Sequence, residues 1–250
     1  MGTAVIPIFT RHPWVMAQQA ITVQTASNGR LALGLGLSHK IIMENSFGIK
    51  YQKLAQHAIE YLSVLNQLNE SFSVDFTGEL YRAQGVINLP KVSKFPLFFA
   101  ALGPKMLEAA GEYADGTITW MAGKNVLRKN IIPIINKSAK LNNRPKPKII
   151  VGIPIAVTDD TQKGRQTADE IFAFYKKMPS YKRLLDLENA SSISEVAIIG
   201  NKDSVKSQLQ QYYSAGATEV LAMVFPVGDD KNGSVDQTWT ALSEFVNQIG

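Results

Sequence analysis

The chain contains no cysteine, which excludes disulfides, thiolate metal sites and a cysteine nucleophile, and fits a reducing, cytoplasmic setting. Histidine is scarce as well: the 3 present are His12, His39 and His57, with no His-x-His pair, so no metal site is expected. No apolar run approaches the roughly 20 residues of a membrane span. The N-terminus has neither the basic flank nor the hydrophobic segment of a signal peptide. Charge of one sign is not concentrated anywhere. Lys and Arg total 26 against 21 Asp and Glu, a net +5 spread along the chain, which describes a mildly basic surface and argues against nucleic acid as a partner. Ser27, Thr119 and Thr158 lack a His–acid pair placed to activate them, so hydrolase chemistry is not supported.

What the chain does have is length and alternation. Its 250 residues are 45% hydrophobic, enough for a large core, and about 250 residues is typical of a single eight-fold β/α barrel. One domain, 1–250, is expected. Strand and helix signals alternate from end to end, the pattern of a parallel sheet with helical crossovers. Thr3 to Phe9 reads as a strand, and Thr10-Arg11-His12-Pro13 opens a helix that Asn28-Gly29 stops. Within Gly29 to His39, Leu31, Ala32, Leu33 and Leu35 form a strand covered on both faces. Gly34 and Gly36 remove side chains where something must approach the backbone closely, and Ser38 and His39 sit at the carboxyl end.

Lys40 to Lys50 reads as a polar loop. The helix that follows, from about Tyr51 to Asn69, carries an apolar stripe through Leu54, Ala58, Tyr61, Leu62, Leu65 and Leu68. Ser71 to Pro90 reads as a hairpin-like excursion outside the main sheet. Further strands are expected at Pro96–Ala101, Thr117–Trp120, Lys148–Val157 and Glu219–Phe225, and Pro133 is placed to kink the helix from Lys124 to Asn142. The main parallel strands therefore number six rather than eight. Residue pattern alone allows either an open doubly wound sheet or most of a barrel.

A set of segments narrows this. Gly2-Thr3-Ala4-Val5, Thr10-Arg11-His12-Pro13, Gly34-Leu35-Gly36-Leu37-Ser38-His39, Ala101-Leu102-Gly103-Pro104, Ala114-Asp115-Gly116 and Ala215-Gly216-Ala217-Thr218 together resemble the luciferase-like monooxygenase superfamily. Within it the likeness is greatest to the deazaflavin (coenzyme F420)-dependent oxidoreductases, and it runs the length of the chain in order. The resemblance implies an α/β fold of the (β/α)8 TIM-barrel family, with a cofactor lying across the carboxyl ends of the strands. It also implies a departure, since family members carry two further βα units before the point matching Gly2. A barrel shortened in this way leaves unpaired strand edges, which a homodimer would cover.

The resemblance also implies residue roles. Ala4-Val5 matches a non-prolyl cis peptide that bulges under the cofactor ring. Leu102-Gly103-Pro104 matches a loop contacting the cofactor phosphate, which suits the residues themselves: a helix start leaves backbone N–H groups free for an anion. Leu37-Ser38 matches the other phosphate-side segment, with the Ser38 hydroxyl as donor. Leu37 brings no charge where the luciferases proper have Arg, which weakens an FMN clamp of their type. His39 matches the position of a catalytic carboxylate in a sugar-phosphate-oxidising branch, and its imidazole is expected to exchange a proton.

By position, His12 is expected to cap its helix and His57, mid-helix, to be structural. Trp120 ends a strand and is a candidate wall for ring or substrate, and Lys124 is a candidate for holding an anionic substrate group. The expected activity is hydride transfer between F420 and a small organic substrate. An FMN-dependent monooxygenase acting with oxygen is one alternative, and a truncated, non-catalytic flavin-binding or assembly protein is another. The segments Lys40 to Lys50, Ser71 to Pro90 and Lys176 to Ser192 are expected to shape the substrate pocket.

Overall fold

The alternation read from the sequence is present in the computed structural model, which describes residues 1–89 and 92–249. Strand β1 (Ile6–Pro7) leads through a 3-10 turn into α1 (Pro13–Ala26), and β2 (Leu33–Gly36) into α2 (Lys40–Phe47) and α3 (Leu54–Ser71). Next come β3 (Ser73–Thr77), β4 (Arg82–Val86), β5 (Leu97–Ala100), α4 (Pro104–Tyr113) and β6 (Gly116–Trp120). The remainder is α5 (Lys124–Val126), α6 (Ile132–Leu141), β7 (Lys148–Val157), α7 (Thr161–Ile171), α8 (Ala173–Lys176), α9 (Pro179–Glu188), β8 (Ile198–Gly200), α10 (Lys202–Ser214), β9 (Glu219–Val224) and α11 (Lys231–Ile249). The chain divides into two compact units, Met1–Ile118 with Ile134–Pro147 and Thr119–Pro133 with Lys148–Gly250. Among the described residues no helix is long and apolar enough to cross a membrane, and no cluster of His, Asp or Glu is placed to hold a metal.

In the first unit the parallel order is β1-β2-β5-β6. The close approach expected at the two glycines is made by the chain itself. A Cβ on Gly34 would fall 2.0 Å from the Thr3 carbonyl oxygen and 2.6 Å from Ile118 Cδ1. One on Gly36 would fall 2.7 Å from Val5 Cγ2 and 3.2 Å from Ala100 Cβ. The Thr3 hydroxyl adds a reciprocal pair of bonds, donating to the Gly34 carbonyl at 2.8 Å and accepting from the Gly34 N–H at 2.9 Å. Because Gly2 pairs with Ala32 and Ile6 with Leu35, the first segment spends one residue more than its neighbour over this stretch. That is a bulge, and it explains why the strand expected over Thr3 to Phe9 is reduced to β1. The opposite face of the sheet carries Leu33, Leu35, Leu97 and Phe99, all buried with the inner faces of α1, α3 and α4. β3 and β4 form a separate antiparallel hairpin, as expected for the Ser71 to Pro90 excursion; Pro90 itself lies outside the described residues. The Lys40 to Lys50 stretch is not a loop throughout. α2 occupies most of it, burying only Met43 and ending at Gly48 in the left-handed conformation, φ 66°.

In the second unit β7 pairs in parallel with β8 and with β9. The six expected strands are all present, and the three-residue β8 (Ile198–Gly200) is an additional one. Residues Leu127–Ile131 form a π-helical turn ahead of Pro133. This is the local form of the expected kink, because the proline ring collides with the carbonyl of residue 129 and cannot donate an N–H.

Substituting Gly34 with Ala is expected to destabilise the fold by about 3 kcal/mol or more, since backbone rather than a flexible side chain stands in the way. Gly2→Ala, whose added carbon would meet its nearest atoms at 3.5 and 3.7 Å, should cost less than about 0.5 kcal/mol. Urea unfolding of the two variants checks the contrast.

Candidate functional site

Parallel register brings three connecting segments of the first unit to one end of the sheet. Pro7 lies beside Gly36, Leu35 beside Phe99 and Ala100 beside Ile118. The segments that follow these strands, Thr10–His12, Leu37–His39 and Ala101–Pro104, therefore leave neighbouring strands at the same edge. Val5, Gly36 and Ala100 touch just before these exits and form their floor. The Ala4–Val5 peptide is cis, and Ala4 is exposed.

Each segment has its own support. Ser38 takes a left-handed conformation, φ 60°, uncommon for a residue with a side chain, and its carbonyl accepts a hydrogen bond from the Tyr51 hydroxyl at 3.1 Å. His39 begins α2, with its carbonyl accepting from the N–H groups of Ile42 and Met43. Its imidazole is half-buried, and that burial holds it below its ordinary value of 6.5, so it is neutral at pH 7. Gly103 precedes α4, with Pro104 in the first turn and no side chain capping the helix. By contrast, α1 is capped by His12, whose Nδ1 accepts from the Trp14 N–H at 3.2 Å as expected. Side-chain oxygens of Asp160 and Asn201 cap α7 and α10 in the same manner. No side-chain acceptor for the N–H groups that open α4 is found among the described residues, and Lys105 beside them is exposed; such a helix start suits an anionic group.

The second unit holds the two remaining candidates. The Trp120 ring stands edge-on to Phe172 at 6.0 Å and Tyr175 at 5.8 Å, and its buried indole N–H has no partner among the described residues. Lys124 is already engaged. Its ammonium donates to Gln211 Oε1 at 2.6 Å and lies 5.8 Å from the Tyr212 ring centroid. The helix start at Gly123-Lys124 is filled by Glu188. That carboxylate accepts from the N–H groups of Asn125 at 3.1 Å and Val126 at 2.9 Å. The Lys124 ammonium is thus paired within the chain, and the N–H groups beside it are met by a protein carboxylate.

A further group beside the strand ends escaped the sequence. His57 Nδ1 and the Tyr81 hydroxyl share a hydrogen bond of 3.0 Å. The Phe9 ring lies 4.6 Å from His57 and 5.5 Å from Tyr51, centroid to centroid. The only trace in the sequence is polar His57 and Glu60 at helical spacing beside the apolar stripe of α3.

Residues 1–219 match the luciferase-like monooxygenase family. The chain is 25% identical to the 5,10-methylenetetrahydromethanopterin reductase of Archaeoglobus fulgidus, over 94% of this chain and 79% of that protein. It is 29% identical to the F420-dependent glucose-6-phosphate dehydrogenase of Mycobacterium avium over 64% of its own length, spanning half (50%) of that protein. The solved coenzyme F420-dependent tetrahydromethanopterin reductase from Methanopyrus kandleri superposes with a TM-score of 0.80 at 20% identity, covering 98% of this chain and 82% of that one. The α/β fold is thus that of the luciferase-like TIM-barrel proteins.

The buried imidazoles set a pH dependence. Burial lowers both His39 and His57 in the folded chain; for His57 the charge of Glu60 works against this and that of Lys53 with it. Below about pH 7 the unfolded chain therefore binds more protons than the folded one, and stability falls as pH drops toward the folded values. Urea-unfolding free energies measured between about pH 7 and 5 should decline, and His39→Gln should flatten the decline.

Proposed function

Because the chain belongs to the luciferase-like monooxygenase family, we propose that it is an oxidoreductase that moves a hydride between coenzyme F420 and a small organic substrate. The observation that supports this reading is the strand register that brings the α4 start at Gly103 to the same sheet edge as the loops that leave β1 and β2. F420, when bound, supplies a ring that takes or gives a hydride. The backbone N–H groups around Leu102, Gly103 and Pro104 would hold its phosphate, with the Ser38 hydroxyl donating from the adjacent loop and Leu37 packing beside it. Ala4 and Val5 would lie under the ring. His39, neutral because it is half-buried, would exchange a proton with the substrate. A cytoplasmic location belongs to the same proposal.

The family description, luciferase-like monooxygenase, favours a second reading, in which FMN is bound and oxygen is activated. The same N–H groups would serve its phosphate, but Leu37 offers no cation to clamp it.

Titrating the chain with oxidised F420 and following its fluorescence separates these readings. Saturable binding is expected, and Gly103→Asp, which sets a carboxylate at the phosphate position, should weaken it about tenfold or more. Binding of FMN in preference to F420 would establish the second reading. Saturable F420 binding without turnover of any substrate would establish the non-catalytic alternative.

A further inference from the structure

We propose that Tyr81 and His57 form the substrate-side proton relay of this oxidoreductase, acting on an alcohol or on the carbonyl compound it becomes. The inference rests on the hydride-transfer reading above and deepens it, giving to Tyr81 and His57 the substrate proton that His39 was offered there. Tyr81 comes from the turn of the β3–β4 hairpin, and α3 fixes it at three successive points. His57 bonds its hydroxyl at 3.0 Å. Glu60 accepts from the backbone N–H groups of Glu79 at 2.8 Å, Leu80 at 2.9 Å and Tyr81 at 2.9 Å. The Tyr61 ring meets the Tyr81 ring edge-on at 5.6 Å. Positions 57, 60 and 61 share one face of the helix, so a single face serves to place one hydroxyl.

Anchoring the hairpin does not require that hydroxyl. Glu60 is 2% exposed and already ties down the turn, and Gly78 is glycine because a Cβ there would fall 2.3 Å from Glu60 Oε2. The Tyr81 and His57 rings instead remain partly exposed. They open on a wall that continues through Phe9 to Tyr51, and through Tyr51 to the Ser38 carbonyl. His12 closes the other side, 5.7 Å from the Tyr81 ring. The pair thus belongs to the same strand-end wall as the loops assigned to the cofactor.

The two groups divide the work. Burial, then the charge of Glu60, pushes the Tyr81 hydroxyl up to about 12, so at neutral pH it keeps a proton and accepts another only while passing its own on. Burial keeps His57 neutral, so Nδ1 is able to receive what Tyr81 releases. The charges acting on the pair are Glu60 of α3 and Lys53 just before that helix, and His12 from the segment after β1 faces the Tyr81 ring; Arg11 acts on the neighbouring Tyr61. In the oxidising direction a bound deazaflavin would serve as acceptor for the hydride of the substrate C–H bond, and the substrate C–O bond would become double. The O–H bond of the alcohol breaks, its proton passes to Tyr81 Oη, and the proton already on Oη passes to His57 Nδ1. Carbonyl reduction runs the same transfers backwards.

The test uses the full chain with F420 and a panel of small primary and secondary alcohols. Tyr81→Phe keeps the ring and removes the relay oxygen. It should lower kcat about 100-fold while KM and F420 affinity stay within about twofold. His57→Ala should lose activity similarly and regain part of it with added imidazole; His57→Gln, which preserves a hydrogen bond to Tyr81, should not be rescued. A readout independent of turnover is the imidazole nitrogen resonance of His57 without cofactor, which Tyr81→Phe should shift. Wild-type kcat in Tyr81→Phe, or an unshifted His57 resonance, would overturn the relay and leave the hydride-transfer reading standing. Turnover only of substrates that need no proton on oxygen would do the same. Failure of the wild-type chain to bind F420 would overturn both.

Discussion

The constraint on which the first unit depends is the contact between its opening segment and a strand stripped of side chains. Thr3 and Val5 occupy space that any residue larger than glycine at positions 34 and 36 would claim. The Thr3 hydroxyl fixes the register with two hydrogen bonds to Gly34, and the extra residue between Gly2 and Ile6 is absorbed as a bulge at Ala4–Val5. That packing levels the ends of β1, β2 and β5, and the following segments then emerge side by side. Without it, Ser38, Gly103 and Arg11 would have no common frame.

Carboxylates that accept from backbone N–H groups do a second kind of positioning. Glu60 gathers three successive backbone N–H groups of the hairpin turn, and hydrogen bonds from Gln56 and from those N–H groups outweigh its burial to hold it below the usual carboxylate value. Glu188 does the same for the helix start at Asn125. Both satisfy N–H groups that would otherwise be left without partners. At the α4 start in the first unit, by contrast, no side chain among the described residues accepts from the helix-opening N–H groups.

Much of the architecture was legible in the residue pattern because the signals are local. Helix caps at His12, Asp160 and Asn201 act over two or three residues. The hairpin is marked by its own turn glycine, and the long strand Lys148–Val157 by an unbroken apolar run. Two elements were not legible. α2 mixes Lys, Glu, Asn and Ser and buries only Met43, so it carries no stripe. β8 is three residues long, too short for periodicity to register.

The sequence by itself determined the order of strands and helices, the glycines at which the backbone must be approached, and the family to which the segments around Ala4, Ser38, His39 and Gly103 point. Only the tertiary structure decided which of the similar-looking strand-end features are met by other parts of the chain. Val126 meets the carboxylate that closes its helix 62 residues away, and His57 meets Tyr81 across 24. Such pairings arise from chain reversal and packing, so residue spacing does not encode them. They nevertheless decide that Lys124 is engaged by its own protein, and that a histidine expected to be structural stands hydrogen-bonded to a tyrosine beside the strand ends.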